Sequence, residues 1–202
     1  MTDGAPLHQT VVAVVHGPHG TTAPAQPGLL DYAVLRPHPV EPSPHPVDVG
    51  AVVVARLAAD ADPRPATWCA APVTAYRVDE RVQIPGPAGY APELVQCSFV
   101  RRLPPLTRAE FAAHWNDVHA PLVPAHHPGV VRYVQHVVIE PLTPDAPEVD
   151  GIAQLCFTTL DDFHDRYYDS EAGRALVGAD VARFIDRPRG WRLHAQETRI
   201  TP

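Results

Sequence analysis

The stretch Leu106–His136, LTRAEFAAHWNDVHAPLVPAHHPGVVRYVQH, constrains the fold more than any other part of the chain. It reads as one helix, a tight loop and one strand. Thr107 and Glu110 have capping-box spacing, so the hydroxyl takes an orphan amide of the first turn and the carboxylate reaches back to the cap. Phe111, Trp115 and Val118 recur at i, i+4 and i+7, one face of a helix. Pro121 predicts the end of that run, because the residue before a proline is pushed out of the α region. Pro128-Gly129 predicts a turn, and an apolar, β-branched run follows it.

The first half lacks the helix text but repeats the strand text. GLLDYAVL (28–35) aligns with GVVRYVQH (129–136), which sets Gly28 on Gly129 and Tyr32 on Tyr133 at an offset of 101. The same offset sets Gly50 on Gly151. Upstream, His8-Gln9-Thr10 meets Val95-Gln96-Cys97 at an offset of 87, and downstream Glu80 meets Glu197 at 117. The first copy is therefore short by 14 and 16 residues where helices belong, while its strands are spared. Strands are expected near 8–16, 29–36, 49–57 and 74–83, then near 94–102, 129–140, 151–158 and 191–200. A short helix or turn is expected near 62–71, and helices near 107–119 and 160–185, the last broken at Asp169-Ser170. The proline-rich segment 37–47 is a loop, since proline cannot donate to a ladder. The expected division is a degenerate unit at 1–84, a linker at 85–93 and a full unit at 94–202, with the βαββαβ order of a ferredoxin-like fold.

Composition excludes several chemistries. Net charge is −7 in 202 residues, which leaves no basic footprint for nucleic acid. All 16 basic residues are arginine, so Schiff-base chemistry through lysine and a lysine-dependent phosphate loop are ruled out. No apolar run is long enough to span a bilayer or to act as a secretory leader, so a cytoplasmic protein with no membrane partner is expected. Cys69, Cys97 and Cys156 are scattered, form no CxxC pair and read as free thiols of a reducing compartment. The histidines supply no HxH or HExxH pattern, and the three serines no GxSxG, so neither a metal site nor a serine nucleophile is expected.

Phe111, His114-Trp115, Val118-His119, Pro121-Leu122, Pro128-Gly129 and Arg132–Gln135, with Asp150–Leu155, Asp180 and Phe184–Asp186, resemble the EthD family of dimeric α+β barrel proteins. The resemblance covers roughly residues 94–200. With the repeat, it implies an α+β fold: two tandem ferredoxin-like units that form an intrachain dimeric α+β barrel, the N-terminal unit with reduced helices. Loss of those helices would strip the outer face of the first sheet, leaving Val52 and Val54 exposed and a homodimer expected through that face.

In residues 152–158, Ala153, Leu155 and Phe157 form an apolar set suited to a helix layer, so Ile152, Gln154 and Cys156 face the barrel. In 131–138, alternation leaves two choices: Tyr133 with Gln135, or Arg132 with His136. The resemblance favours Tyr133 as a pocket residue and puts His136 on the outer face. It also implies His119 at the helix end as the proton-transferring group, beside Tyr133 as the oxygen-polarising one. Gln135, Gln154, Cys156, Trp115 and Tyr32, the repeat partner of Tyr133, complete the expected substrate-binding set. Where the family often has Glu, this chain has Gln154. The implied function is cofactor-independent proton-shift chemistry on a small hydrophobic, aromatic or polyketide-like compound, by cyclisation, isomerisation, dehydration or decarboxylation. Cofactor-free oxygenation of phenols and a non-catalytic binding role are the alternatives.

Overall fold

The computed structural model describes residues 8–17, 26–44, 48–65 and 72–200. Eight strands run through it: β1 (His8–His16), β2 (Leu29–Pro37), β3 (Val49–Ala58), β4 (Val73–Ile84), β5 (Leu94–Val100), β6 (Val130–Pro141), β7 (Gly151–Phe157) and β8 (Trp191–Ile200). All pairings are antiparallel, and the order β1-β3-β2-β8-β5-β7-β6-β4 closes on itself as a barrel. Two seams, β2–β8 and β4–β6, join the halves of the chain by backbone hydrogen bonds.

The described helices lie in the second half. They are α1 (Arg108–His114), α2 (Leu122–His126), α3 (Leu160–Asp165) and α4 (Glu171–Val181). Thr107 and Glu110 form the capping box that starts α1. Thr159 and Ser170 cap α3 and α4 through their hydroxyls. The chain does not stop at Pro121: a π-turn over Trp115–His119 continues α1, and Pro121 becomes the N-cap of α2.

The expected fold of two tandem ferredoxin-like α+β units is therefore corrected. The chain forms one closed eight-stranded antiparallel barrel, flanked by few helices. The reason lies in the connections of the first half. Among the described residues they carry no helix, so β1–β4 cannot complete an α+β layer and instead complete a barrel wall. The turn or helix expected at 62–71 falls largely at 66–71, outside the described residues.

Strand alternation sorts the side chains. Val12, Leu35, Val52, Tyr76, Phe99, Ile152 and Leu193, drawn from seven strands, meet inside the barrel with Val138 of β6. Leu94, Phe111, Trp115, Tyr133, Leu155, Phe157 and Phe184 form a second core between the β5–β8 sheet and the helices. Val11, Ala13, Tyr32, Val53, Ala55 and Leu57 form a third on the outer face of the first-half strands. Val52 and Val54 are thus interior, at 0% and 7% exposure, not on an outer surface. The outer set is buried as well, Val11, Ala13 and Ala55 fully so. Among the described residues, the outer face through which a homodimer was expected is therefore not bare.

Candidate functional site

A cleft of about 1310 Å³ opens between the outer face of the β5–β8 sheet and the helices. Gln96, Ser98, Tyr133, Leu155 and His194 lie on its sheet side, and Trp115, His119, Phe163, Tyr167 and Val177 on its helix side. This size suits a drug-sized or larger organic molecule, and the aromatic walls suit a flat one.

His119 closes the π-turn and is 9% exposed. Its Nδ1 lies 2.9 Å from Asp180 Oδ2 on α4, and Asp180 Oδ1 lies 2.9 Å from His114 Nε2. A carboxylate only accepts, so Nδ1 of His119 carries the hydrogen and Nε2 is left with its lone pair. Nε2 has no partner among the described residues, and the ring lines the cleft. Burial pushes the His119 pKa down against the opposing pull of Asp180, so the ring is neutral at pH 7. Phe184 holds both imidazoles, with ring centroids 4.7 Å from His114 and 5.1 Å from His119. A neutral imidazole oriented by a buried carboxylate is able to take a proton from a bound molecule.

Tyr133 stands on β6 with its hydroxyl clasped from two sides. Trp115 Nε1 and Gln135 Nε2 each donate to it at 2.9 Å. Gln135 also donates to the Trp115 carbonyl at 3.0 Å. With both lone pairs taken, the phenol's own hydrogen is what it has to give. Burial raises its pKa well above the ordinary value, so it stays a phenol. Trp115 reaches this position because Gly151 has no side chain: a Cβ there would lie 2.2 Å from Trp115 Cζ3.

The remaining predicted residues divide between two sides of the sheet. His119, Tyr133 and Trp115 line the cleft. Gln135 is fully buried behind Tyr133. Gln154 and Cys156 point into the barrel instead, where burial raises the Cys156 thiol to about 12. Tyr32 packs in the outer first-half core and borders a smaller cavity of about 190 Å³ at the barrel's end, which Gln154 also lines. His136, expected on the outer face, lies inside the barrel at 1% exposure. There its Nε2 meets Glu80 Oε2 at 3.2 Å, Glu80 meets Arg56 at 2.6 Å, and Arg132 pairs with Glu197. Burial opposes the charge on Glu80, but His136 and Arg56 outweigh it and hold the carboxyl down at about 2.

Sequence reasoning gave His119 a role and left Asp180, named only within the family resemblance, without one. Asp180 is a lone acid on the buried side of α4, one turn from Val177, and an acid at an apolar helix position is the signal that marks it. Tyr167 was also missed; its hydroxyl accepts from Gln96 at 2.9 Å and its carbonyl meets His127 Nδ1 at 2.6 Å. The proline-rich loop after β2 reaches the same cleft. Pro42 O lies 3.0 Å from His194 Nδ1, and Glu41 lies 3.1 Å from His164 on α3. Among the described residues there is no cluster of three or more metal-ligating side chains, and no helix long and apolar enough to cross a membrane.

The fold and cleft define a closed antiparallel barrel with a ligand-sized space under a one-sided helix layer. Two solved structures share that fold. One is an anthrone oxidase-like protein, at TM-score 0.63 and 11% identity over 97% of this chain and 94% of that one. The other, from Fusobacterium nucleatum, is provisionally named a monooxygenase, at TM-score 0.56 and 6% identity over 96% and 94%. No curated protein matches the chain in sequence. Residues 103–188 match the model of the EthD domain family. Those residues hold α1, the π-turn, α4 and therefore both His119 and Asp180.

Proposed function

We propose that the chain is an enzyme that starts its chemistry by removing a proton from a flat, hydrophobic aromatic or polyketide-like molecule bound in the helix-side cleft. The observation that carries this reading is the Asp180–His119 pair, with an unpartnered Nε2 facing an aromatic-walled cleft. His119 Nε2 takes the proton. Tyr133, a neutral phenol with its lone pairs occupied, donates its hydrogen to the oxygen on which negative charge builds. The proton then returns elsewhere on the same molecule, which is the common step of isomerisation, cyclisation and dehydration. No cofactor is required for that step.

A second reading is favoured by the fold shared with an anthrone oxidase-like protein and a provisional monooxygenase. The same anion would react with dioxygen. For anthrone, one O₂ would be consumed, one anthraquinone formed and one water released.

The test uses anthrone, whose methylene is a carbon acid beside a carbonyl. Incubated without air in D₂O, wild type should catalyse exchange of the methylene hydrogens, read by NMR, and His119→Ala should lose that exchange. Air is then admitted. Oxygen uptake with anthraquinone formation selects oxygenation, and exchange without uptake selects proton-shift chemistry. Saturable binding with neither exchange nor product would overturn the enzyme reading in favour of a binding protein.

A further inference from the structure

Eleven of the 16 arginines have a carboxylate partner: Arg56, Arg64, Arg77, Arg81, Arg101 and Arg102 in the barrel half of the molecule and its joints, and Arg108, Arg132, Arg166, Arg189 and Arg199 further on. Arg174, Arg183, Arg187 and Arg192 have none among the described residues. Three of these four, Arg174, Arg187 and Arg192, line the helix-side cleft. Unpartnered cationic groups are thus gathered at one place in a chain whose net charge is −7. The acids of the cleft lining are Asp165 and Glu171, at the α3–α4 junction, against three arginines, so the lining carries a local excess of positive charge. A cleft of sign opposite to the whole molecule concentrates ligands of the matching charge.

Two of the three lie close together along the chain and line the same cleft. Arg192 sits on β8 opposite Ser98 of β5, two residues before His194, and so shares the sheet face that carries Gln96. Arg187 begins the short 3₁₀ turn that leads into β8. Tyr167 lines the same cleft as both arginines; burial pushes its hydroxyl up, and the charges of Arg192 and Arg187 act against that shift. Guanidinium presents paired N–H donors that fit a carboxylate bidentately.

We infer that the molecule taken by this cleft is an aromatic carboxylate, its carboxylate gripped by Arg192 and Arg187 and its ring system extending past Tyr167 toward His119. The inference rests on the cleft being the substrate site proposed above. An anionic anchor at one end fixes which ring position meets the base, so the arginines set regiochemistry without touching the reacting atoms.

The test compares anthraquinone-2-carboxylate with anthraquinone-2-carboxamide, which has the same rings and no charge. Affinity is measured by calorimetry and by quenching of tryptophan fluorescence, at low salt and at about 0.5 M salt, where exposed charges are screened beyond about 4 Å. The carboxylate should bind about tenfold more tightly or better at low salt, and the margin should shrink in high salt. Arg187→Gln with Arg192→Gln should erase the margin; both residues are exposed, so the fold is retained. His119→Gln should leave the margin unchanged, because the base does not recognise the anchor. Equal affinity of the two probes, or a margin that survives the double variant, overturns this inference; if anthrone exchange still depends on His119, the proposed function stands. If neither probe binds, this inference falls, and the proposed function stands or falls on anthrone exchange alone.

Discussion

Replacing Asp180 by Asn tests the link between geometry and chemistry with one atom changed. Asp180 accepts a hydrogen bond from each of two imidazoles, both at 2.9 Å. Asparagine can accept only on its oxygen; its amide nitrogen must donate, so one ring must present a lone pair instead of a hydrogen. If that ring is His119, its hydrogen moves to Nε2 and the base facing the cleft disappears. Turnover, or anthrone exchange, should fall about 10²–10⁴-fold, the scale for loss of a general base or of its correct tautomer. Hydrogen bonds to a charged group contribute about 1.5–3 kcal/mol each, and one of the two survives, so stability should drop by about 2–3 kcal/mol. For a chain of this length that is a fall in Tm of about 5–10 °C, well short of unfolding at 25 °C. The pH profile separates positioning from mere support. His119 is held below its ordinary value chiefly by burial, and Asp180 opposes that shift. Wild-type activity should therefore be full above the ordinary histidine range and fall only as pH drops through the depressed value. In Asp180→Asn, whatever activity remains should have its acid limb moved still lower. A folded Asp180→Asn protein with near wild-type turnover and an unmoved acid limb would refute the role given to this pair.

Tyr133→Phe should remove the donated hydrogen and cut turnover about 10²-fold, while leaving Trp115 Nε1 without its acceptor at a cost of about 1–3 kcal/mol in stability; steady-state kinetics and a melting curve measure both, and full activity would contradict the polarising role. Gly151→Ala forces its Cβ against the Trp115 ring, so it should destabilise by about 1–3 kcal/mol and red-shift tryptophan fluorescence, even though residue 151 itself lies outside the cleft; an unchanged melting point would show that the ring yields freely. Glu80, held at about 2 against an ordinary value near 4.5, contributes about 3 kcal/mol at neutral pH that is present above the ordinary value and lost as pH falls toward 2. Denaturant midpoints of wild type should therefore decline from about pH 5 downward more steeply than those of Glu80→Gln, and parallel curves would count against the buried Arg56–Glu80–His136 cluster.

Local features were legible in the sequence wherever the chain settles them within a few residues. The Thr107–Glu110 cap, the Ser170 restart and the inward set Ile152, Gln154 and Cys156 all follow from neighbours along the chain. Alternation failed on β6 because both of its faces are half polar. Arg132 and His136 are tolerated inside the barrel only because Glu197 and Glu80 meet them there, 65 and 56 residues away. The same distance problem hid the cleft's partner: Asp180 lies 61 residues from His119. Reading the barrel lumen as the cavity followed from placing Tyr133 inward, and it gathered into one site residues that the sheet keeps apart. The shortened connections of the first half were visible in the offsets, but not that its four strands would finish a wall begun by the other four.

That wall has an order of assembly built into it. β8 is the last of the eight described strands, yet it lies between β2 and β5 and pairs with both. Synthesis proceeds at about 5–20 residues per second, so β2 waits many seconds with an open edge until Trp191–Ile200 emerges. Until then the barrel is a curled sheet with two unpaired rims, one on each half, and such rims are templates for pairing with a neighbouring chain. Closing it joins residues more than 150 positions apart, a loop whose entropy must be overcome before any bond of the seam forms. β8 therefore acts as a latch: aggregation during synthesis, and damage from any lesion within Trp191–Ile200, should fall most heavily on a molecule whose other seven strands are already made.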